Sequence, residues 1–180
     1  MSMLEHAAQL RLPSSGKLAK PVNPMERHTM DAPAIAVMTD FRRERPSVVS
    51  AKQHVDAALN DMILDGVRAL LVVEDQAVVG LVTASDILGP RPIQFLQNPL
   101  CDGSPCQHQH VHVGDIMTNW PDLRLLRLEW VDKSSCGDVA SAFAAHEASH
   151  LLVVELVDDG SSFVRGIFSR TRLARQLPPS

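Results

Sequence analysis

The chain has 180 residues, 17 basic and 21 acidic, for a formal charge of −4 at pH 7. Hydrophobic residues make up 45% and charged residues 21%, which supplies a core and excludes global disorder. Mild acidity argues against a nucleic-acid module, and a sequence without Tyr, with two Trp and five Phe, argues against a large aromatic-lined pocket.

Residues 1–31 read as an N-terminal extension, where Pro13, Pro21 and Pro24 break any long helix. It is expected to wrap the core or join an oligomer contact. A first unit spans 32–92. Pro46 to Val49 is a short extended segment. Ser50 then starts a helix, with Gln53 completing a capping box. Val55, Ala58, Leu59 and Met62 follow at helical spacing, and Gly66 sits at the C-terminal cap. Ala69 to Val73 reads as a buried strand, Glu74-Asp75-Gln76 as a tight turn and Val78 to Thr83 as the return strand. Asp86 begins a short helix that Gly89-Pro90 stops. A connector, 93–112, holds Pro99 and Pro105, with a helical turn at Ile93 to Leu96. A second unit spans 113–178. Ser134 or Ser135 caps its helix, strands run Leu151 to Glu155 and Phe163 to Ser169, and Arg170 to Gln176 forms the last helix.

The two units are copies. Leu71-Val72-Val73-Glu74 recurs as Leu152-Val153-Val154-Glu155, and Gly80-Leu81-Val82-Thr83 recurs in type as Gly166-Ile167-Phe168-Ser169. Val37-Met38-Thr39 recurs as Ile116-Met117-Thr118. Cys136, Val139 and Phe143 take the places of Val55, Ala58 and Met62, which makes Cys136 a core residue. The extra residues of the second copy fall between its strands, around Asp158-Asp159-Gly160, where a hairpin tip tolerates insertion. The fold class is α/β (α+β): two β-α-β-β-α repeats packed as a pseudo-two-fold pair. A unit of about 60 residues buries too little surface to be secure alone.

These three repeated features together resemble a tandem pair of CBS domains, the cystathionine-β-synthase regulatory module, over roughly 32–178. The resemblance implies a stand-alone regulatory or energy-sensing module, not an enzyme. It implies an adenine nucleotide (AMP, ADP or ATP) or an adenosyl ligand such as S-adenosylmethionine, with no cofactor required. It also implies a homodimer built through the helices, and an effector protein reached in trans. On this resemblance Thr83 and Asp86 match the ribose and phosphate contacts, the adenine lies against backbone near Val48 and Ala69, and Arg68 is the nearest phosphate cation. The chemistry is consistent: a carboxylate can accept two hydrogen bonds from a cis-diol. In the second copy Ser169 stands for Thr83, but Arg172 stands for Asp86 and offers no acceptor. That cleft is expected to be empty, or to hold something more anionic through Arg170, Arg172 and His150. Thr83 and Asp86 also have a purely structural reading, as helix-capping residues.

The connector suggests a rival of another class. Cys106, His108, His110 and His112 carry metal-ligand chemistry, and alternation puts the three histidines on one face of an extended segment. Their spacing matches no closed structural-zinc pattern, so a His-rich polar connector is the plainer expectation. A third reading is a ligand-free protein–protein adaptor. Apolar runs of about five residues exclude a membrane-spanning helix. Three cysteines and the lack of a basic-then-apolar leader make the cytoplasm the expected compartment.

Overall fold

The computed structural model describes residues 27–97, 110–157 and 160–177. Most of the N-terminal extension and the connector residues Cys101, Cys106 and His108 lie outside the described residues. The elements in chain order are β1 (Thr39–Asp40), β2 (Val48–Val49), α1 (Val55–Asp65), β3 (Ala69–Glu74), β4 (Ala77–Thr83), α2 (Ala84–Leu88) and α3 (Arg91–Leu96). They continue with α4 (Val113–Ile116), β5 (Thr118–Asn119), β6 (Leu125–Arg127), α5 (Leu128–Val131), α6 (Cys136–Ala145), β7 (His150–Leu156), β8 (Ser162–Ser169) and α7 (Arg170–Gln176).

These elements form two four-stranded sheets, in the orders β2-β3-β4-β5 and β1-β8-β7-β6. Each repeat supplies three strands of its own sheet and receives the fourth from the segment leading into the other repeat. Thus Thr39 and Asp40 pair with Ile167 and Gly166, while Thr118 and Asn119 pair with Leu81 and Gly80. The duplicated Met-Thr segments therefore exchange partners, and neither repeat completes its sheet alone.

Glycine makes this exchange possible. A Cβ on Gly80 would stand 2.7 Å from the Thr118 carbonyl oxygen and 2.8 Å from Met117 Sδ. One on Gly166 would stand 2.5 Å from the Thr39 carbonyl oxygen and 2.9 Å from Met38 Sδ. The glycine of each hairpin and the methionine of each leading segment are thus one steric device, used twice.

Three cores result. One packs α1 against β3 and β4 through Val55, Ala58, Met62, Leu70, Val72 and Val82. Another packs α6 against β7 and β8 through Cys136, Val139, Phe143, Leu151, Val153 and Phe168. Between the sheets lie Leu71, Leu81 and Leu152, flanked by Ala69, Val73, Trp120 and Ile167. Alternation along β3 and β7 sends successive side chains to the helices and to the opposite sheet, which is why both strands read as continuous apolar runs.

Two helix starts differ from expectation: α2 begins at Ala84, with Thr83 as its N-cap and Asp86 at its third position, not at Asp86. α1 begins at Val55 with His54 as its N-cap and no side-chain capping bond, not at Ser50. The start of the second unit captures the preceding backbone: Val113 N–H donates to Gln53 O at 2.8 Å and Gly114 N–H to Ala51 O at 2.8 Å. The Ser50 hydroxyl instead donates to Glu74 Oε1 at 2.8 Å. The other cap expectations match: Gly66 adopts φ 67°, and Ser135, not Ser134, caps α6 with Asp138.

Candidate functional site

Thr83 ends β4 on the same face as Leu81, toward the opposite sheet, and it is buried. Its hydroxyl and the Asp86 carboxylate form a capping box at the start of α2. Asp86 Oδ2 accepts from Thr83 N–H at 2.8 Å and from Thr83 Oγ1 at 2.7 Å. Asp86 Oδ1 faces Arg91 Nη1 at 3.2 Å. Arg91 also donates to the Ile116 carbonyl at 2.6 Å and to Thr118 Oγ1 at 3.3 Å. The capping reading of Thr83 and Asp86 is thus realised. Each carboxylate oxygen carries two lone pairs, so Oδ1 keeps one acceptor direction beside its arginine.

His150 faces this carboxylate from the other repeat. It opens β7 on the inter-sheet side and is paired in register with Ser169. Burial pushes its pKa below the ordinary histidine value, and the Asp86 charge opposes that shift. The Asp86 charge thus reaches His150 across the two sheets.

The other sequence-selected residues divide. Ala69, opposite Thr83, and Ser169, the N-cap of α7, lie at the strand ends facing between the sheets. Val48 pairs with Leu71 and is 51% exposed at the sheet edge. Leu125 occupies the matching edge position opposite Leu152 and is 38% exposed. Arg68 is exposed, and its guanidinium makes no hydrogen bond or ion pair among the described residues. Arg170, Arg172 and His150 do not gather into one anion site. Arg170 caps the end of α6 through the Phe143 and His146 carbonyls and lies 5.5 Å over the Phe143 ring. Arg172 Nη1 donates to Thr39 Oγ1 at 2.7 Å.

The two clefts therefore solve one task differently. In each, an arginine holds the threonine of the crossing strand. In the first cleft Arg91 reaches Thr118 while neutralising Asp86; in the second Arg172 reaches Thr39 directly. Arg91, Leu125 and the two threonines were not selected from the sequence. Their signal is spatial, since Arg91 lies at the end of the first unit, past the matched Gly80–Thr83 block, where no repeat copy marks it.

The CBS-domain family model matches residues 36–89, which covers the first repeat. The structure carries the same architecture through the second. Residues 36–89 are a CBS domain, and the whole has the fold of CBS-pair proteins. It is similar to the crystal structure of CBSX2 in complex with AMP, at 26% identity and a TM-score of 0.55, covering 80% of this chain and 94% of that one. It is also similar to CBSX2 from Arabidopsis thaliana, at 25% identity and a TM-score of 0.52, over 80% and 92% of the two chains. An uncharacterized conserved protein from Pyrococcus horikoshii matches at 27% identity and a TM-score of 0.53, over 80% and 90%. No curated protein matches the sequence. Among the described residues of this CBS pair, no helix is long and apolar enough to cross a membrane.

Proposed function

We propose that this CBS pair is a regulatory module that binds an adenine nucleotide in the cleft where Thr83 and Asp86 face His150. The observation that carries the reading is that juxtaposition: an acceptor carboxylate from one repeat beside a half-buried histidine from the other. A ligand bridging them would favour one arrangement of the repeats by its differential affinity for it. Asp86 accepts from one ribose hydroxyl through its remaining lone pair. Arg91 stands beside it as the phosphate cation, a role the sequence had assigned to Arg68. Val48 and Leu125 offer exposed apolar edges for a base. The AMP bound by the similar CBSX2 structure supports the ligand class. The second cleft stays without nucleotide, because Arg172 replaces the acceptor and is engaged by Thr39. The signal passes to a partner protein, with the module acting as a homodimer.

Calorimetric titration with AMP, ADP, ATP and S-adenosylmethionine tests this. Hydrogen bonds to a charged group contribute about 1.5–3 kcal/mol, so Asp86→Ala should weaken binding about tenfold or more. Asp86→Asn keeps an acceptor for the cap and should also lose affinity, while Arg172→Ala should not. Failure of all four ligands to bind at about millimolar concentration, a free energy near −4 kcal/mol, would leave the adaptor reading standing.

A further inference from the structure

The histidines noted in the connector have a partner that the sequence conceals. His112 forms an antiparallel bridge with His54, and their rings stack with centroids 4.4 Å apart and planes 30° from parallel. The flanking bonds run from Val55 N–H to Val111 O at 3.1 Å and from Val113 N–H to Gln53 O at 2.8 Å. That pattern makes His54 and His112 a non-hydrogen-bonded pair, the type whose side chains stand closest. Two nitrogens held at about 2.0–2.1 Å from one tetrahedral ion lie roughly 3.3 Å apart. Rings already stacked at 4.4 Å reach that by turning about their own side-chain bonds, with the backbone fixed. Asp115 Oδ2 accepts from the His112 backbone N–H at 2.8 Å and stands 3.7 Å from His112 Nδ1, which keeps His112 beside His54 at the start of α4. His54 is exposed and His112 half-buried, so an ion has access.

The geometry points to a two-histidine site for a late first-row divalent cation, zinc, nickel or copper, formed by His54 and His112 with water completing the shell. Among the described residues no three His, Cys, Asp or Glu form a ready-made cage. The site is therefore an exchangeable one. Bound metal clamps the start of α1 to the end of the connector, the same junction that displaces the helix start from Ser50 to Val55. The site shares no residue with the nucleotide cleft and stands independently of that reading.

The test uses the tag-free full chain and zinc chloride, followed by calorimetry and thermal unfolding. Wild type should bind and gain thermal stability. Loss of an outer-shell partner alone costs about 10–100-fold in metal affinity, so removal of a ligand, in His54→Ala or His112→Ala, should weaken binding at least about tenfold. Because a substitution at the α1 cap can disturb folding, copper bound to wild type provides a second readout: its electron paramagnetic resonance spectrum should show two imidazole nitrogens. Undiminished zinc binding in His54→Ala would overturn the proposal and return the metal to the connector alone. So would a copper spectrum with one nitrogen or none, or no binding by wild type.

Discussion

Gly80 and Gly166 set the tightest steric condition in the molecule that is met twice. Neither has a positive φ, so any side chain could adopt their backbone; what forbids one is the crossing carbonyl and methionine against them. Overpacking of this kind costs about 1–3 kcal/mol. Gly80→Ala and Gly166→Ala should each lower the unfolding free energy by that amount, read as a lower urea midpoint at unchanged m, and Met117→Ala should partly relieve Gly80→Ala. Equal midpoints for wild type and Gly80→Ala would refute the pairing. His150 makes a second residue-level prediction. Its folded pKa lies below the ordinary 6.5, so below that value the unfolded chain binds more protons and stability falls. It is fully present above 6.5 and is lost as the pH drops below. Asp40 and Glu155 have pKa values held down by their hydrogen-bond and arginine partners, so their contribution fades only in the lower carboxylate range. The melting temperature should therefore decline from about pH 7 to pH 5.5 in wild type and stay flatter in His150→Gln. Parallel slopes for the two proteins would contradict this.

At the scale of elements, what was legible in the sequence depended on how local its cause is. α6 and α7 start where the sequence placed them, because Ser135 and Ser169 act within three residues of themselves. β3, β4, β7 and β8 match within a residue or two, since their apolar runs are buried on both faces. α1 departed because Val111, Val113 and Gly114, far along the chain, compete for the backbone of residues 51–55. The candidate site shows the same division. Thr83 and Asp86 were visible as a motif, whereas Arg91 and the His54–His112 pair depend on through-space contacts that no spacing encodes. The charged group of Asp40, Arg42, Glu155 and Arg165 is another such case. Arg165 bridges Glu155 at 2.9 Å and Asp40 at 3.4 Å, tying the end of β1 to the second hairpin. In the first repeat Val79 stands at the matching place before Gly80, and Glu74 turns instead to Ser50 and the Ala51 amide.

For the whole molecule, the exchanged strands decide how it folds. The duplication established that 37–39 and 116–118 are equivalent, but equivalence does not say which sheet each joins. Because each joins the other repeat's sheet, the second repeat is incomplete without residues far upstream. Ala34, Val37 and Met38 belong to its core, and the Ala32 and Met30 carbonyls accept from Cys136 and Gly137 N–H, each at 2.8 Å. Fully burying a large apolar side chain contributes about 1.5–3 kcal/mol, and a small domain has only about 5–15 kcal/mol in total. A fragment of residues 110–177 should therefore show no cooperative unfolding transition by itself. A peptide of residues 27–42 added in trans should restore one, with a midpoint that rises with peptide concentration as binding linkage requires. The full chain should unfold in a single step, with matching calorimetric and van't Hoff enthalpies, because the Leu71–Leu81–Leu152 core and both crossing strands must part together. A fragment that melts cooperatively without the peptide, or a full chain with two separate transitions, would mean that the repeats are joined only by contact and that the crossing strands add little.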